Sequence, residues 1–326
     1  MRPFAYARPA DLAAALDAGR QPGAAFLAGG TSLVDLMKLE VERPRTVVDI
    51  ARLPLAGIEV RDSGLRVGAL VRNADLADHP AVRERYPVLA EAILSGATAQ
   101  LRNMATVGGN LLQRTRCYYF RDGVSPCNKR QPGSGCAALD GVHRSHAVLG
   151  TSERCIAAHP SDMCVALAAL AAVVHLRGPR GERAVPVEEF YVPYGEDPAR
   201  ETVLGQGELV VAVELPAAPF FARSRYVKVR DRASYEFALA SAAVAIDLAG
   251  GVIREARVAL GGVATKPWRA REAEQALAGA RPGAGAFRAA ADAALAGARP
   301  RRDNAFKVEL ARRTLVRALE AVTGVA

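Results

Sequence analysis

Four of the chain's five cysteines, Cys117, Cys127, Cys136 and Cys155, fall in one stretch, separated by nine, eight and eighteen residues. The sequence between them is rich in Gly, Pro, Ser and Arg, the composition of a loop. Cysteines scattered through a core do not gather this way. Four thiolates converging from one loop are what an iron–sulfur cluster requires, and a structural zinc also fits. No C-x-x-C pair occurs, which weakens zinc-ribbon and thioredoxin readings. The bland alternative is a few buried free thiols. Pro126 and Pro132 stiffen the loop, Gly133 and Gly135 permit sharp turns, and Tyr118, Tyr119 and Phe120 can shield a cluster from water. His143 and His146 have the chemistry to replace a thiolate, but as loop histidines they are expected in solvent. Cys164 stands apart, in an apolar run after Asp162, and reads as packing.

Two glycine pairs offer different chemistry. Leu27-Ala28-Gly29-Gly30-Thr31-Ser32-Leu33 follows an apolar strand pattern and leads into a helical one. Glycines let backbone N–H groups approach an anion, a helix start adds partial positive charge, and Thr31 and Ser32 add hydroxyls. Thr106-Val107-Gly108-Gly109-Asn110 is a second such loop. Either alone is equally well a tight turn. Together they can grip an extended dinucleotide from opposite sides. Neither is G-x-G-x-x-G and no Walker A sequence occurs, so a Rossmann NAD site is disfavoured. In His159-Pro160-Ser161-Asp162, Asp162 can stabilise a helix start or accept from a ribose or ribityl hydroxyl; locally, capping is favoured. Lys228 lies on a strand pattern, where it can meet a phosphate or a flavin carbonyl, or simply face solvent.

The elements that must position these groups follow from periodicity. Asp11 can cap an Ala/Leu-rich helix, AAFLAGG is a strand into a turn, SLVDLMKLEV a helix and TVVDI a strand, together a small βαβ-like unit closing near Ile50. IEVRDSGLRVGAL reads as a hairpin turning at Ser63-Gly64. A helical region from Asn73 to Ser95 is interrupted at Pro80 and Pro87. After the cysteine loop come an apolar helix (MCVALAALAAVV), a strand–turn–strand (AVVHLRGPRGERAVPV) and a strand ending at Pro216. PAAPFFARS marks a boundary. Beyond it antiparallel strands turn at Gly250-Gly251, with room for a helix around Glu236–Ala243, and the tail from Glu272 to Val322 is helical with breaks at 279–285 and 297–301. Two domains are expected, 1–216 and 222–326. The first divides into 1–55 and 56–216, with the cysteine loop inserted at 113–158.

The chain has 326 residues, half of them hydrophobic, and a net charge of +9 from 43 Lys+Arg against 34 Asp+Glu. Only Lys38, Lys129, Lys228, Lys266 and Lys307 are lysines, so the positive charge is nearly all arginine. The basic residues are dispersed and aromatics sparse, which argues against nucleic-acid binding. An acidic partner subunit or an anionic cofactor suits the charge better. No apolar run is long enough to cross a bilayer, so no membrane insertion is expected. The first residues lack an apolar or twin-arginine signal. The expectation is a cytoplasmic protein, or a periplasmic one if a partner carries the signal. An odd cysteine count argues against a disulfide framework.

AGGTSLVDLMK, TVGGNL, HPSDM-C-VALAAL and the YVKVRDRAS segment, in this order, resemble the flavin-binding subunit of the xanthine dehydrogenase family of molybdenum hydroxylases. The resemblance spans essentially the whole chain. GGNLLQRTRC and PCNKRQPGSGC look closest to the subgroup with an extra [4Fe–4S] cluster, found in bacterial periplasmic aldehyde oxidoreductases and, more distantly, in 4-hydroxybenzoyl-CoA reductase. The resemblance implies an α+β fold: a vanillyl-alcohol-oxidase-like FAD-binding domain of two α/β subdomains, then a domain like that of carbon monoxide dehydrogenase flavoproteins. It implies that residues 27–33 with Thr106, Gly108, Gly109 and Asn110 hold the FAD pyrophosphate, Asp162 the ribityl or ribose portion, and that Lys228 sits near the flavin. Cys117, Cys127, Cys136 and Cys155 would ligate the cluster. It also implies a large molybdenum-cofactor subunit and a small [2Fe–2S] subunit as partners, with electrons leaving through FAD to an external acceptor. No general acid or nucleophile is expected on this chain. Where the family often has consecutive acidic residues, this chain has Ser234-Tyr235-Glu236.

Overall fold

The structure is a computed structural model, and it describes residues 1–195 and 197–325. Glu196, within the expected first domain, and Ala326, the expected end of the second, lie outside the described residues. The chain opens with a parallel three-stranded sheet, β1 (Ala5–Ala7), β2 (Ala24–Leu27) and β3 (Thr46–Asp49), in the order β1-β3-β2. Helices α1 (Leu12–Gly19) and α2 (Leu33–Lys38) are the crossovers that parallel strands require. Asp11 caps α1 by accepting from the Ala14 N–H at 2.8 Å. The strand β1 carries no alternating apolar signal and was invisible in the pattern.

A second sheet, antiparallel, has the order β4-β5-β8-β6-β7: β4 (Ile58–Arg61), β5 (Gly64–Gly68), β6 (Val173–Gly178), β7 (Gly181–Pro186) and β8 (Leu209–Pro216). Its apolar core is shared by α3 (Asn73–Asp78), α4 (Pro80–Arg85) and α5 (Pro87–Ser95). Pro80 and Pro87 each begin a helix because the residue before a proline is forced out of the helical region: His79 and Tyr86 are non-helical. Short turns of helix follow, α6 (Ala99–Arg102), α7 (Val107–Leu111) and α8 (Tyr118–Arg121). Then come α9 (Asp162–Ala169) and α10 (Val187–Phe190). Every residue of α9 is buried, as befits a helix apolar on all sides.

The third sheet, β12-β11-β10-β9, is antiparallel: β9 (Ser224–Val229), β10 (Ala240–Ala249), β11 (Val252–Gly261) and β12 (Trp268–Arg269). One face carries α11 (Arg271–Leu277), α12 (Ala284–Leu295) and α13 (Phe306–Thr323). No helix forms at 236–243. The Ala-rich run instead pairs with β9 and β11 as strand β10. Ala242, Val244 and Ile246 enter the core under the C-terminal helices, while Ala243 and Ala245 join the core around α9. Sandwiching between two apolar layers overrides the helical propensity of alanine. Among the described residues no helix is long and apolar enough to cross a membrane.

Candidate functional site

Strand β2 ends at Leu27 and the chain turns before α2, with Gly30 in the left-handed region at φ +73°. Gly29 is required for a different reason. A Cβ there would lie 1.8 Å from the Met104 carbonyl oxygen, so this loop and the segment leading to Thr106 touch backbone to backbone. Among the described residues the N–H groups of Gly29, Gly30, Thr31 and Ser32 have no protein acceptor. Ser32 stands at the start of α2 yet makes no cap bond. The second loop is built differently. The Val107 N–H goes to Val71 O (2.9 Å), Gly108 to Ala69 O (2.8 Å), Gly109 to Thr106 Oγ1 (3.3 Å) and Asn110 to Thr106 O (2.8 Å). Its donors are spent on holding its shape. What Gly109 offers is a bare backbone surface, and what Asn110 offers is an amide fixed by Gln113 and Ser161, both at 2.6 Å from its Oδ1.

These loops form a waist between two chambers. One, of about 500 Å³, is lined by Asn110, Asp162, Arg116, Asn73 and Lys228. The other, of about 240 Å³, is lined by Ala28, Gly29, Gly30, Leu33, Thr106, Gly108 and apolar side chains including Phe26, Ile50 and Leu209. Thr31, Ser32 and Gly109 face both. A long ligand with a polar centre and two bulky ends fits this shape, and the free N–H row at the waist suits a diphosphate.

Asp162 and Lys228 both reach the larger chamber but are committed to each other. Lys228 Nζ donates to Asp162 Oδ2 at 2.8 Å and to Ser95 O at 3.1 Å, and Tyr226 donates its hydroxyl to Asp162 Oδ1 at 2.6 Å. Only 3 % of the lysine side chain is exposed, so it is not a solvated lysine. Ser161, not Asp162, caps α9, accepting from the Cys164 N–H at 3.1 Å. Arg116 was not singled out by its sequence context. It lines the larger chamber, lies over the Phe237 ring at 5.0 Å, and has no carboxylate partner among the described residues. Burial first, and then Arg121, lower its pKa to about 10. Arg116 donates to the Arg114 carbonyl but to no carboxylate among the described residues, and with the orphaned Asn73 Oδ1 it marks this chamber as shaped for a polar, anionic ligand.

The four loop cysteines converge on one narrow pocket, which Phe120, Ala138 and Ala157 also line. All are free thiols. The Cys127 and Cys136 backbones are bridged antiparallel, and Asn128 ties the loop by donating to Arg154 O (3.0 Å) and accepting from the Gly135 N–H (2.9 Å). Burial pushes the Cys117 thiol up to about 12 and the Cys155 thiol up to about 11, at Cys155 against the pull of the nearby Lys129, because a buried thiolate is costly. Against that, backbone N–H groups of Phe120 and Tyr119 face Cys117, those of Ala138 and Leu139 face Cys136, and that of Ala157 faces Cys155. Donors aimed at sulfurs favour thiolates, and they offset part of the cost of burial. Among the described residues no three His, Cys, Asp or Glu side chains converge closely enough to hold a single metal ion. Phe120 is buried over the cavity but Tyr118 is 68 % exposed, so the tyrosine shields nothing. His143 and His146 are buried rather than solvated. Cys164 is packed under Tyr191, whose hydroxyl lies 3.0 Å from its sulfur.

A two-chambered cleft drawn from three sheets, with an unpartnered N–H row at its waist, has the shape for a dinucleotide, and the family models place the chain among flavoproteins. The family described as the FAD binding domain in molybdopterin dehydrogenase matches residues 2–218, and the CO dehydrogenase flavoprotein C-terminal domain matches residues 225–322. The chain therefore belongs to the FAD-binding subunits of the molybdenum hydroxylases, and it is an oxidoreductase subunit. It is 54% identical over 324 residues to the aldehyde oxidoreductase FAD-binding subunit PaoB of Escherichia coli (strain K12), covering 98% of each chain. It is 30% identical over 325 residues to the carbon monoxide dehydrogenase medium chain of Hydrogenophaga pseudoflava, covering 98% of this chain and 96% of that one. The solved carbon monoxide dehydrogenase of that organism superposes with a TM-score of 0.78 at 30% identity over all of both chains. Quinoline 2-oxidoreductase from Pseudomonas putida 86 gives 0.77 at 25% identity, covering 99% of this chain and 98% of that one.

Proposed function

We propose that this chain is the electron-transfer flavoprotein of a molybdenum-dependent aldehyde oxidoreductase and carries both FAD and a [4Fe–4S] cluster. In this reading the chain works between a molybdenum subunit that oxidises the aldehyde, a [2Fe–2S] subunit that delivers electrons, and an external acceptor. The observation that carries the FAD placement is the waist. The unpartnered N–H groups of Gly29 to Ser32 meet the diphosphate, with Gly109 close against it. Asn110, Asp162, Lys228 and Arg116 face the flavin half, and the apolar chamber behind Phe26 and Ile50 takes the other end. FAD, when bound, exchanges electrons singly or in pairs. The residues here orient it and neutralise its charge; none is placed as a general acid or nucleophile.

Cys117, Cys127, Cys136 and Cys155 hold the cluster. Each sulfur of such a cube binds its own iron, so four thiols can surround a cavity without three of them closing on one point, as a tetrahedral zinc demands. The aldehyde substrate class is supported by the 54% identity to an aldehyde oxidoreductase subunit. The test is the assembled complex, purified anaerobically, with flavin, iron and acid-labile sulfide measured and turnover compared on aldehydes and aryl-CoA thioesters. Activity on the thioesters alone refutes the aldehyde reading. One zinc with neither iron nor flavin refutes both cofactor placements. Cys127→Ser is expected to abolish iron and sulfide while sparing FAD; unchanged iron refutes the ligand set.

A further inference from the structure

We infer that His146 is the side-chain hydrogen-bond donor to the cluster ligand Cys117, and that it sets the cluster's reduction potential from a position fixed by α13 of the C-terminal unit. The inference rests on the cluster reading above. His146 Nε2 lies 3.1 Å from Cys117 Sγ, and the ring is buried, 2 % exposed. Its other nitrogen, Nδ1, has no partner. A neutral imidazole has one N–H, and an iron-bound thiolate can only accept. The proton therefore sits on Nε2 and points at the sulfur. His143, its neighbour, is differently engaged: its Nε2 accepts from the Asp303 N–H at 3.0 Å.

With Nδ1 free, no other side chain steers the ring by hydrogen bonding, so its aim depends on the backbone beneath it. That backbone is anchored at every turn. The His146 N–H donates to His143 O at 3.0 Å, and the Ala147 N–H to Ile156 O at 2.9 Å, beside Cys155. Lys307 Nζ donates to His146 O (3.0 Å), Ser145 O (3.1 Å) and Gly262 O (2.6 Å) from a wholly buried position, and Asn304 Nδ2 donates to Ala147 O at 3.1 Å. Asn304 precedes α13 and Lys307 lies in its first turn. The C-terminal unit thus reaches across to hold the donor while contributing no ligand itself.

A donor on a ligating thiolate draws charge from the sulfur and favours the more negative, reduced cluster. Removing it lowers the midpoint potential. The experiment is a redox titration of the assembled complex followed by the electron paramagnetic resonance of the reduced cluster, with iron and sulfide counted on each sample. His146→Leu is expected to retain its iron and shift the ratio of oxidised to reduced cluster about tenfold at fixed potential, equivalent to about 59 mV for one electron. His146→Gln, which keeps an N–H, is expected to recover most of that shift. An unchanged potential in an iron-replete Leu variant overturns the inference and leaves the cluster reading intact, whereas no iron or sulfide in the unsubstituted complex overturns both. Should the Leu variant fail to assemble, the unsubstituted complex with 15N-labelled histidine decides. One weakly coupled imidazole nitrogen with an exchangeable proton supports the donor, and its absence overturns it.

Discussion

Gly29→Ala puts one methyl group where the waist leaves no room. The new carbon would stand 1.8 Å from Met104 O, 2.7 Å from Met104 C and 3.3 Å from Ala105 Cα, all backbone atoms. That segment cannot retreat freely, because the Ala105 N–H bonds Leu101 O at 2.7 Å and Ala105 O accepts from the Asn73 N–H at 2.9 Å. On the other side, the Ile50 N–H to Leu27 O bond (2.9 Å) ties the first loop to the parallel sheet. The loops must part by roughly an ångström or more, and overpacking of this kind costs about 1–3 kcal/mol. Expressed in FAD binding, that is about a 5- to 150-fold weaker Kd. The assay is reconstitution of flavin-stripped complex, followed by flavin fluorescence, with thermal melts recorded without FAD to separate binding from folding. Gly57→Ala, with nothing within 4 Å of its Cβ, is the control and should bind normally. A Gly29→Ala variant whose Kd stays within twofold of the original refutes the claim that the two loops close on the cofactor. Loss of iron with FAD retained refutes it as well.

Arg116→Leu should weaken FAD binding by about ten- to a hundredfold, the worth of one charge-assisted contact, with Arg116→Lys intermediate; a Kd equal to the original shows the guanidinium is not turned to the cofactor. Lys228→Met leaves Asp162 buried without its cation and should cost about 3–5 kcal/mol in urea unfolding, while adding Asp162→Asn should restore most of the loss; strict additivity of the two changes refutes the pairing. Glu208 predicts an acid limb. Its carboxyl sits below its ordinary pKa, first because Arg183 donates to it and, against burial, with help from the Gly205 N–H. Its stabilisation is therefore complete above the unfolded value of 4.5 and lost as pH falls through the lower folded value. Melting temperature against pH should flatten in Glu208→Gln over that range, and identical profiles refute the assignment.

Local grammar reveals the scaffold where one residue type dictates one geometry. Pro80 and Pro87 break the helices where proline must, and the β4–β5 hairpin turns through Asp62-Ser63, one residue before the expected Ser63-Gly64, with Gly64 opening β5. It misleads at Glu236–Ala243, where the sequence reads as either state and burial on both faces decides for a strand. The cysteines are legible because they share one stretch. Their donors are not: His146 is twenty-nine residues from Cys117, and its burial comes from Lys307, a further 161 along the chain. The Asp162–Lys228 pair spans 66 residues and was visible only as two separate candidates. Arg116 is one arginine among many in a basic chain, and only its missing carboxylate partner distinguishes it.

The same long-range contacts explain why the C-terminal unit accompanies the FAD-binding one. The larger chamber takes Lys228 from β9 and Arg232, Glu236 and Phe237 from the segment between β9 and β10, so its wall is incomplete without the third sheet. Arg116 and Cys117 are consecutive. The first lines the larger chamber under Phe237, and the second lines the cysteine pocket beside a histidine whose backbone α13 holds. A third chamber, of about 260 Å³, is lined by both of these residues and by Asp162, and so lies between the two sites. The third sheet thus reaches the larger chamber through Lys228 and α13 reaches the cysteine site through the backbone of His146, while the consecutive Arg116 and Cys117 join the two. A disturbance at the start of α13 should therefore be felt at the flavin only when it also moves the backbone of Arg116 and Cys117.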